Sequence, residues 1–182
     1  MIHSLTTVGI RHHFHQDYHF HPLRTDFTGD NGVGKSIIGD LLQLILVARR
    51  DKWKSGTEGM DKDKRKIETM PLEGVEVGYA LMNIEVAPGR FLAAGVSISS
   101  RNVPVRAFIV HRGAEMSTGA TLLSYLRPLS REDFLNGDEI LDLETVKKRL
   151  FRDHDLHLHE FSRGDRIKEY HKVLYKNKIL PV

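Results

Sequence analysis

Eight consecutive residues near the amino terminus have the types and spacing that bind a polyphosphate. They match the pattern G-x-x-x-x-G-K-[ST] and are Gly29, Asp30, Asn31, Gly32, Val33, Gly34, Lys35 and Ser36. The glycines let the backbone curl around phosphate oxygens without Cβ clashes, and the N–H groups of the loop and of a following helix attract anions. In this pattern the lysine reaches the β and γ phosphates and the serine hydroxyl coordinates Mg²⁺. We therefore predict that residues 29–37, which include Ile37, bind ATP, with Ser36 as the Mg²⁺ ligand.

The residues on either side of this loop predict the elements that position it. Residues 2–10 and 14–21 are rich in β-branched, aromatic and histidine residues, which is typical of strands. Residues 25–28 are expected to lead into the loop as a short extended segment. Residues 36–50 carry apolar residues at helical spacing, which predicts a helix packed on a sheet. The alternative, a glycine-rich turn with a solvated lysine, does not account for a helix that begins at the lysine.

The remainder of the chain predicts further strands and short helices. An antiparallel meander is expected from three segments separated by Pro88-Gly89 and by residues 102–104, namely 75–86, 91–99 and 105–111. Residues 155–161 alternate in polarity and predict one more short strand. Helices are expected at 121–126, 143–151 and 166–174. The pattern as a whole indicates an α/β protein.

Composition narrows the class of protein. The 182 residues are 40% hydrophobic and 28% charged, which is typical of globular chains and not of disordered or collagen-like ones. Cysteine is absent, which excludes a disulfide framework and a thiolate zinc site. No signal peptide and no apolar run long enough to cross a bilayer is present in the sequence, so we expect a cytoplasmic protein without a membrane partner.

The loop and a later segment both resemble one group of ATPases. Residues 28–36, TGDNGVGKS, resemble the G-x-N-G-x-G-K-S loop of ABC-type ATPase heads, especially the SMC, SbcC and MukB group. Residues 141–150, 157–161 and 167–171 resemble the late part of the amino-terminal head segment of MukB-like proteins, which include the MksB and JetC types. Two residues depart from the usual loop: Ile37 stands where Ser or Thr is common, and Asp30 places a carboxylate beside a phosphate site.

The resemblance implies an α/β fold, the amino-terminal lobe of a P-loop NTPase (ABC/SMC head) with an antiparallel β subdomain. Residues 1–182 would then be a single ATPase-head lobe, with strands, P-loop and first helix in 1–50, a basic loop in 51–72, and the meander and helical part in 73–182. In that family a carboxy-terminal segment supplies the Walker B acidic pair and the signature motif, and two heads sandwich ATP. Asp138-Glu139 follows Asn136-Gly137 rather than an apolar strand, and no Ser-Gly-Gly is present. We therefore expect the chain to bind ATP and not to hydrolyse it alone.

The function implied is that of half an ATPase head in DNA organisation, chromosome maintenance or repair, associated with the nucleoid. Its partners would be ATP, the carboxy-terminal head segment or a second head, and DNA. A DNA-defence ATPase of the same superfamily and a truncated, non-catalytic nucleotide-binding remnant are the alternatives. A small-molecule kinase is disfavoured, because no arginine cluster of a lid and no acidic base motif stands near the loop.

Residues 49–66 contain eight basic and four acidic residues, a local net charge of +4. Most such runs are solvated surfaces. A contact with DNA phosphates is the second interpretation, with Lys52, Lys54, Lys64, Arg65 and Lys66 as candidates. Trp53 within this segment either stacks on a base or packs on the domain.

The histidine-rich start allows a metal site and a plainer interpretation. The histidines concerned are His12, His13, His15, His19 and His21, and a second group is His154, His157 and His159. Only Asp17 lies among the first group as an acidic ligand, so we favour surface or strand-pairing histidines over metal ligands. Arg24 is a further candidate for a nucleotide contact, because SMC-type heads often use an early arginine there.

Overall fold

The computed structural model describes residues 1–30, 34–56, 66–101, 104–113, 115–116, 119–161, 165–176 and 179–180. Within them, six strands form one antiparallel sheet, in the order β2-β1-β3-β4-β5-β8. The strands are β1 (Ile2–Ile10), β2 (Phe14–His19), β3 (Val77–Ala87), β4 (Arg90–Ser99), β5 (Val105–Arg112) and β8 (Leu156–Phe161). Strands β6 (Leu135–Asn136) and β7 (Glu139–Ile140) form a separate small hairpin. The expected α/β class is confirmed as a mixed structure built on an antiparallel sheet.

Four α-helices accompany the sheet in the described residues. They are α1 (Lys35–Val47), α2 (Ala120–Leu123), α3 (Leu143–His154) and α4 (Asp165–His171). A π-helical turn, Lys172–Lys176, continues α4, and two 3₁₀ turns lie at Ile67–Thr69 and Arg131–Phe134. Within the described residues no helix has the length and apolar character needed to cross a bilayer.

The expected strands agree with the structure, and the helices agree less closely. The helix expected at 36–50 is α1, which begins one residue earlier and ends three residues sooner. The helix expected at 121–126 is a single turn, and the one expected at 166–174 divides into α4 and the π-helical turn. The β1–β3 pairing places the amino-terminal hairpin and the meander in the same sheet. The pairing of β8 with β5 extends that sheet by its last strand.

Both faces of the sheet are covered, which explains why β1 is buried from Ser4 to Ile10 without alternation. Successive residues of a strand point to opposite faces. On one face, the Asp17 carboxylate of β2 accepts a hydrogen bond from the Arg131 N–H at 3.1 Å. The next residue, Tyr18, contacts His13 on the other face, beside the start of α1. The 3₁₀ turn at Arg131–Phe134 and α1 therefore lie on opposite sides of the sheet.

Helix α1 is fixed at its carboxyl end by the last helical segment. Its final carbonyls, which have no partner within the helix, accept hydrogen bonds from α4 and the π-helical turn. The Tyr170 hydroxyl donates to the Ile45 carbonyl at 2.7 Å, and the Tyr175 hydroxyl donates to that of Leu46 at 3.2 Å. The Nε2 atom of His171 lies 3.0 Å from the Val47 carbonyl oxygen. Residues more than a hundred positions apart in sequence thus meet at one end of α1.

On the opposite face, a buried asparagine joins the sheet to the segment that follows α2. The Asn83 side chain of β3 is fully buried. Its amide N–H groups donate to the Leu129 carbonyl at 2.7 Å and to the Ser4 hydroxyl at 2.9 Å. Its carbonyl accepts from the Leu129 N–H at 3.0 Å. The side chain therefore satisfies both backbone polar groups of Leu129.

We predict that Asn83→Leu lowers the free energy of unfolding by about 3 kcal/mol, because two buried backbone groups of Leu129 lose their partner. Chemical denaturation followed by circular dichroism measures this change. The matched control is Asn136→Leu at an exposed position of β6, which is expected to change stability by less than about 0.5 kcal/mol. Equal stability of the two variants would contradict this role of Asn83.

Candidate functional site

The candidate loop ends in a backbone conformation that only glycine adopts without strain here. Gly34 has φ 90° and ψ 17° and directly precedes Lys35, the first residue of α1. A Cβ atom on Gly34 would lie 2.8 Å from the Cβ of His12 and 2.9 Å from the Nε2 of His13. The third glycine of the pattern is therefore required both by its dihedral angles and by its close neighbours.

The Lys35 side chain turns back over the loop. Its ammonium group donates hydrogen bonds to the backbone carbonyls of Gly29 and Asp30, the latter at 3.0 Å. Asp30 is exposed to solvent, as a carboxylate beside a site for an anion must be. The other three predicted loop residues, Asn31, Gly32 and Val33, lie outside the described residues. The only side-chain cation of the pattern thus contacts the first two residues of the loop that it is predicted to serve.

The two residues after Lys35 have opposite environments. Ser36 is exposed on the first turn of α1, whereas Ile37 is buried and its N–H donates to the Gly34 carbonyl at 3.0 Å. The half-buried Lys35 and the exposed Ser36 are thus the first two residues of a 13-residue helix. This donor set fits a phosphate with Mg²⁺. Ile37 acts in it as an apolar anchor and not as a ligand through its side chain.

The segment that leads into the loop lies outside the sheet. Residues 21–30 are exposed and have no regular secondary structure, and the Leu23 side chain is 90% exposed. Phe27 is the partial exception, because its ring contacts Tyr18 and Phe20 edge to face. Arg24 pairs with Asp26 at 3.0 Å between two exposed side chains. The structure thus directs Arg24 to a neighbouring carboxylate and not to the loop.

His13 contacts the loop directly. It is buried, and its Nε2 lies 2.8 Å from the Gly34 carbonyl oxygen. Its Nδ1 lies 2.5 Å from the Tyr18 hydroxyl. Burial raises the pKa of Tyr18, so the phenol keeps its proton.

The other histidines of the amino-terminal group point to separate partners. His15 accepts a hydrogen bond from the Gly9 N–H at 3.0 Å, and His21 accepts one from the Leu23 N–H at 3.2 Å. His13 precedes β2, and His15 lies within it. His12 and Phe14 have φ angles of 66° and 49°, and these left-handed residues turn His13 away from the alternation of β2.

In the part of the chain that the structure describes, no three histidine or carboxylate side chains come together as a metal site. His154 lies 3.0 Å from an Arg127 guanidinium nitrogen, and the rings of His111 and His157 stack. The pKa values of His111 and His159 are lowered by burial, so these rings favour the neutral form. His111, His157 and His159 lie on β5 and β8, at the opposite edge of the sheet from the turn that holds His13, and His154 is the last residue of α3.

A buried carboxylate ties the basic segment to α1. Asp40, one and a half turns after Lys35, accepts hydrogen bonds from the Gly56 N–H at 2.7 Å and from the Ser55 hydroxyl at 3.0 Å. The Trp53 indole N–H donates to the Asp40 backbone carbonyl at 3.0 Å. Of the two alternatives for Trp53, the structure shows the one in which it packs on the domain. Residues 53–56 therefore lie against the helix that begins at the candidate loop.

Three of the five predicted DNA-contacting residues, Lys52, Lys54 and Lys66, are described and exposed. Lys64 and Arg65 lie outside the described residues. Two neighbouring arginines pair with carboxylates, Arg49 with Asp51 at 2.7 Å and Arg50 with Glu68. The exposed lysines consequently account for the positive charge that the described part of the segment presents to solvent.

Comparison with known proteins assigns the chain to no family. No family model matches the chain, and no curated protein matches it in sequence.

Three residues support the loop and α1 and were not predicted from the sequence to do so, namely His13, Tyr18 and Asp40. For Asp40 a signal is present, because a lone carboxylate interrupts the apolar stripe of α1 that includes Ile37, Leu41 and Leu44. His13 gives no such signal, because its contact with Gly34 joins residues 21 positions apart. Only the turn between β1 and β2 brings them together.

We predict that Asp40→Ala releases residues 53–56 from α1. Trp53 is the sole tryptophan of the chain, so its fluorescence reports this change. Emission should shift to longer wavelength and acrylamide quenching should increase, because the indole loses its packing and enters water. Asp51→Ala, which removes an exposed carboxylate from the same segment, is the control and should leave both signals unchanged. Unaltered emission from Asp40→Ala would show that Asp40 does not hold the segment.

Proposed function

We propose that this chain is the ATP-binding, amino-terminal half of an SMC-like or MukB-like ATPase head that acts in DNA organisation, chromosome maintenance or repair. The observation that carries the proposal is the start of α1. The helix begins at Lys35, directly after a left-handed Gly34 that has no room for a side chain, and the Lys35 ammonium turns back over the loop. A merely solvated lysine would not make this contact with the carbonyls of the loop.

Different residues of the loop would contact the phosphates and the Mg²⁺ of MgATP. The first turn of α1 offers backbone N–H groups and the positive end of the helix dipole to the phosphates. Lys35 now contacts carbonyl oxygens, which carry only partial negative charge, and phosphate oxygens are stronger acceptors for an ammonium. Ser36, exposed beside it, is the ligand that the pattern provides for Mg²⁺, which neutralises part of the triphosphate charge.

The surroundings of the loop support a head that needs a partner to act. The segment before the loop, residues 21–30, is exposed and unpaired with the sheet, and it carries the apolar side chains of Leu23 and Phe27. The one acidic pair considered as a Walker B motif, Asp138-Glu139, lies at the small β6–β7 hairpin. We therefore propose that a carboxy-terminal head segment or a second head completes the site and supplies the groups that position the attacking water.

The basic segment supports contact with DNA as the second part of the function. Its exposed lysines follow α1 directly, and Asp40 holds residues 53–56 against that helix. Lysines bind phosphate groups without reading the bases, so such a contact would be independent of DNA sequence. ATP and DNA would then act at opposite ends of one connected element, the loop, α1 and the basic segment.

We predict that the purified chain binds MgATP and that Lys35→Ala abolishes this binding, because it removes the only side-chain cation of the loop. Isothermal titration calorimetry measures the affinity, and phosphate release should stay at background for both proteins. Lys148→Ala on α3 is the matched control, since it removes an exposed lysine remote from the loop. The absence of any heat or thermal shift from the unmutated chain at millimolar MgATP would overturn the assignment of the loop.

We predict weak DNA binding that depends strongly on salt and not on sequence. Reversing the charge of Lys52, Lys54, Lys64, Arg65 and Lys66 should lower the affinity and reduce the slope of log K against log salt by about 0.9 for each lost duplex contact. A control with the same number of reversals at exposed residues elsewhere changes Lys147, Lys148, Arg152, Lys172 and Lys176. Fluorescence anisotropy on a duplex at several salt concentrations gives the slopes. If the two variants have the same slope as the unmutated chain, the basic segment is a solvated surface.

A further inference from the structure

A buried histidine outside the glycine-rich pattern fixes the peptide group from which α1 starts. The Nε2 of His13 lies 2.8 Å from the Gly34 carbonyl oxygen, in a contact that is buried from solvent. The same carbonyl also accepts the Ile37 N–H at 3.0 Å. A backbone oxygen has only hydrogen-bond acceptor sites, so Nε2 must carry the proton and donate it. The Gly34–Lys35 peptide group is therefore held from the side of the sheet as well as from within the helix.

Fixing this carbonyl also fixes the direction of the adjoining N–H group. In a trans peptide the C=O and N–H bonds point in opposite directions across a rigid plane. With the Gly34 carbonyl directed at His13 and Ile37, the Lys35 N–H is directed away from them, outward from the amino end of α1. That is the direction in which a helix presents its N–H groups to an anion. The imidazole thus aims a phosphate donor that it does not itself touch.

Tyr18 holds the imidazole in the form that this geometry needs. With Nε2 protonated, the neutral ring has Nδ1 as an acceptor, and the Tyr18 hydroxyl donates to it across 2.5 Å. The order of donors is then Tyr18 to His13 to Gly34. Each hydrogen bond in such a chain polarises the next, which strengthens the Lys35 N–H as a donor. The rings of Tyr18 and His13 also meet edge to face, with centroids 5.6 Å apart.

The turn that carries His13 is itself in an unfavourable conformation. Its two neighbours, His12 and Phe14, adopt left-handed φ angles of 66° and 49°, and both are exposed. Left-handed backbone in residues other than glycine is uncommon and costs free energy, and it persists where the surrounding structure requires it. Here it turns His13 inward between β1 and β2, towards Gly34.

We propose that His13 is a positioning residue of the phosphate-binding loop, which sets the orientation of the Gly34–Lys35 peptide group and thereby the affinity for the triphosphate. This inference rests on the proposed function, because it assumes that the loop binds MgATP. It assigns the β1–β2 turn to the nucleotide site, although nothing in the glycine-rich pattern extends that far.

The test compares MgATP affinity with thermal stability in a set of variants. His13→Leu removes the donor to Gly34 and should weaken MgATP binding about tenfold or more, since phosphate affinity depends on donors that are already oriented. His13→Gln keeps an N–H group at a similar reach and should restore most of the affinity. Tyr18→Phe removes only the hydroxyl that orients the ring, and it should weaken binding by a smaller factor of about three. Calorimetry gives the dissociation constants and differential scanning fluorimetry gives the melting temperatures.

Tyr170→Phe is the matched control, because it removes a buried side-chain donor to a backbone carbonyl at the other end of α1. It should lower the melting temperature as the His13 variants do and leave the MgATP affinity unchanged. If affinity follows melting temperature across all four variants, His13 is merely structural and the inference is wrong. Normal affinity in His13→Leu would also overturn it while leaving the proposed function intact. No binding by the unmutated chain would overturn both.

Discussion

The hydrogen bond between His13 and the Gly34 carbonyl is the contact on which the candidate site depends. It joins the β1–β2 turn of the sheet to the first peptide group of α1, 21 residues later in the chain. Three features allow this contact in a closed space, namely the left-handed turn around His13, the missing side chain of Gly34 and the position of Tyr18. In the proposed function, this anchor on the last glycine of the loop would orient the backbone donors before any ligand arrives.

In this chain the candidate loop does not directly follow a strand of the sheet. All six strands of the sheet are antiparallel, and the strand nearest the loop in sequence, β2, ends eleven residues before Asp30. His13 and Tyr18 connect the sheet to the loop, whereas β2 does not run directly into it. Residues 21–30, which connect β2 to the loop, are exposed and have no regular secondary structure.

Sequence alone predicted the local features of this structure and missed the ones that depend on tertiary contacts. The strands followed from β-branched runs separated by Pro88-Gly89, and α1 followed from its apolar stripe and the glycines before it. The pairing of β8 with β5 joins segments far apart in sequence, and no residue pattern in β8 encodes its partner strand. In the same way, Lys35 and Ser36 were predictable because their spacing is a property of the motif. His13 was not, because its role arises from a turn geometry set by two residues with left-handed backbone.

Helix α1 is attached at both ends to parts of the chain far away in sequence, at Gly34 through His13 and at Ile45 to Val47 through Tyr170, His171 and Tyr175. Between these attachments it spans about 20 Å, at 1.5 Å for each residue. Because α1 is attached at both ends, it cannot slide along its own axis without breaking hydrogen bonds at one of them. Its position against the sheet is therefore fixed by residues outside the helix.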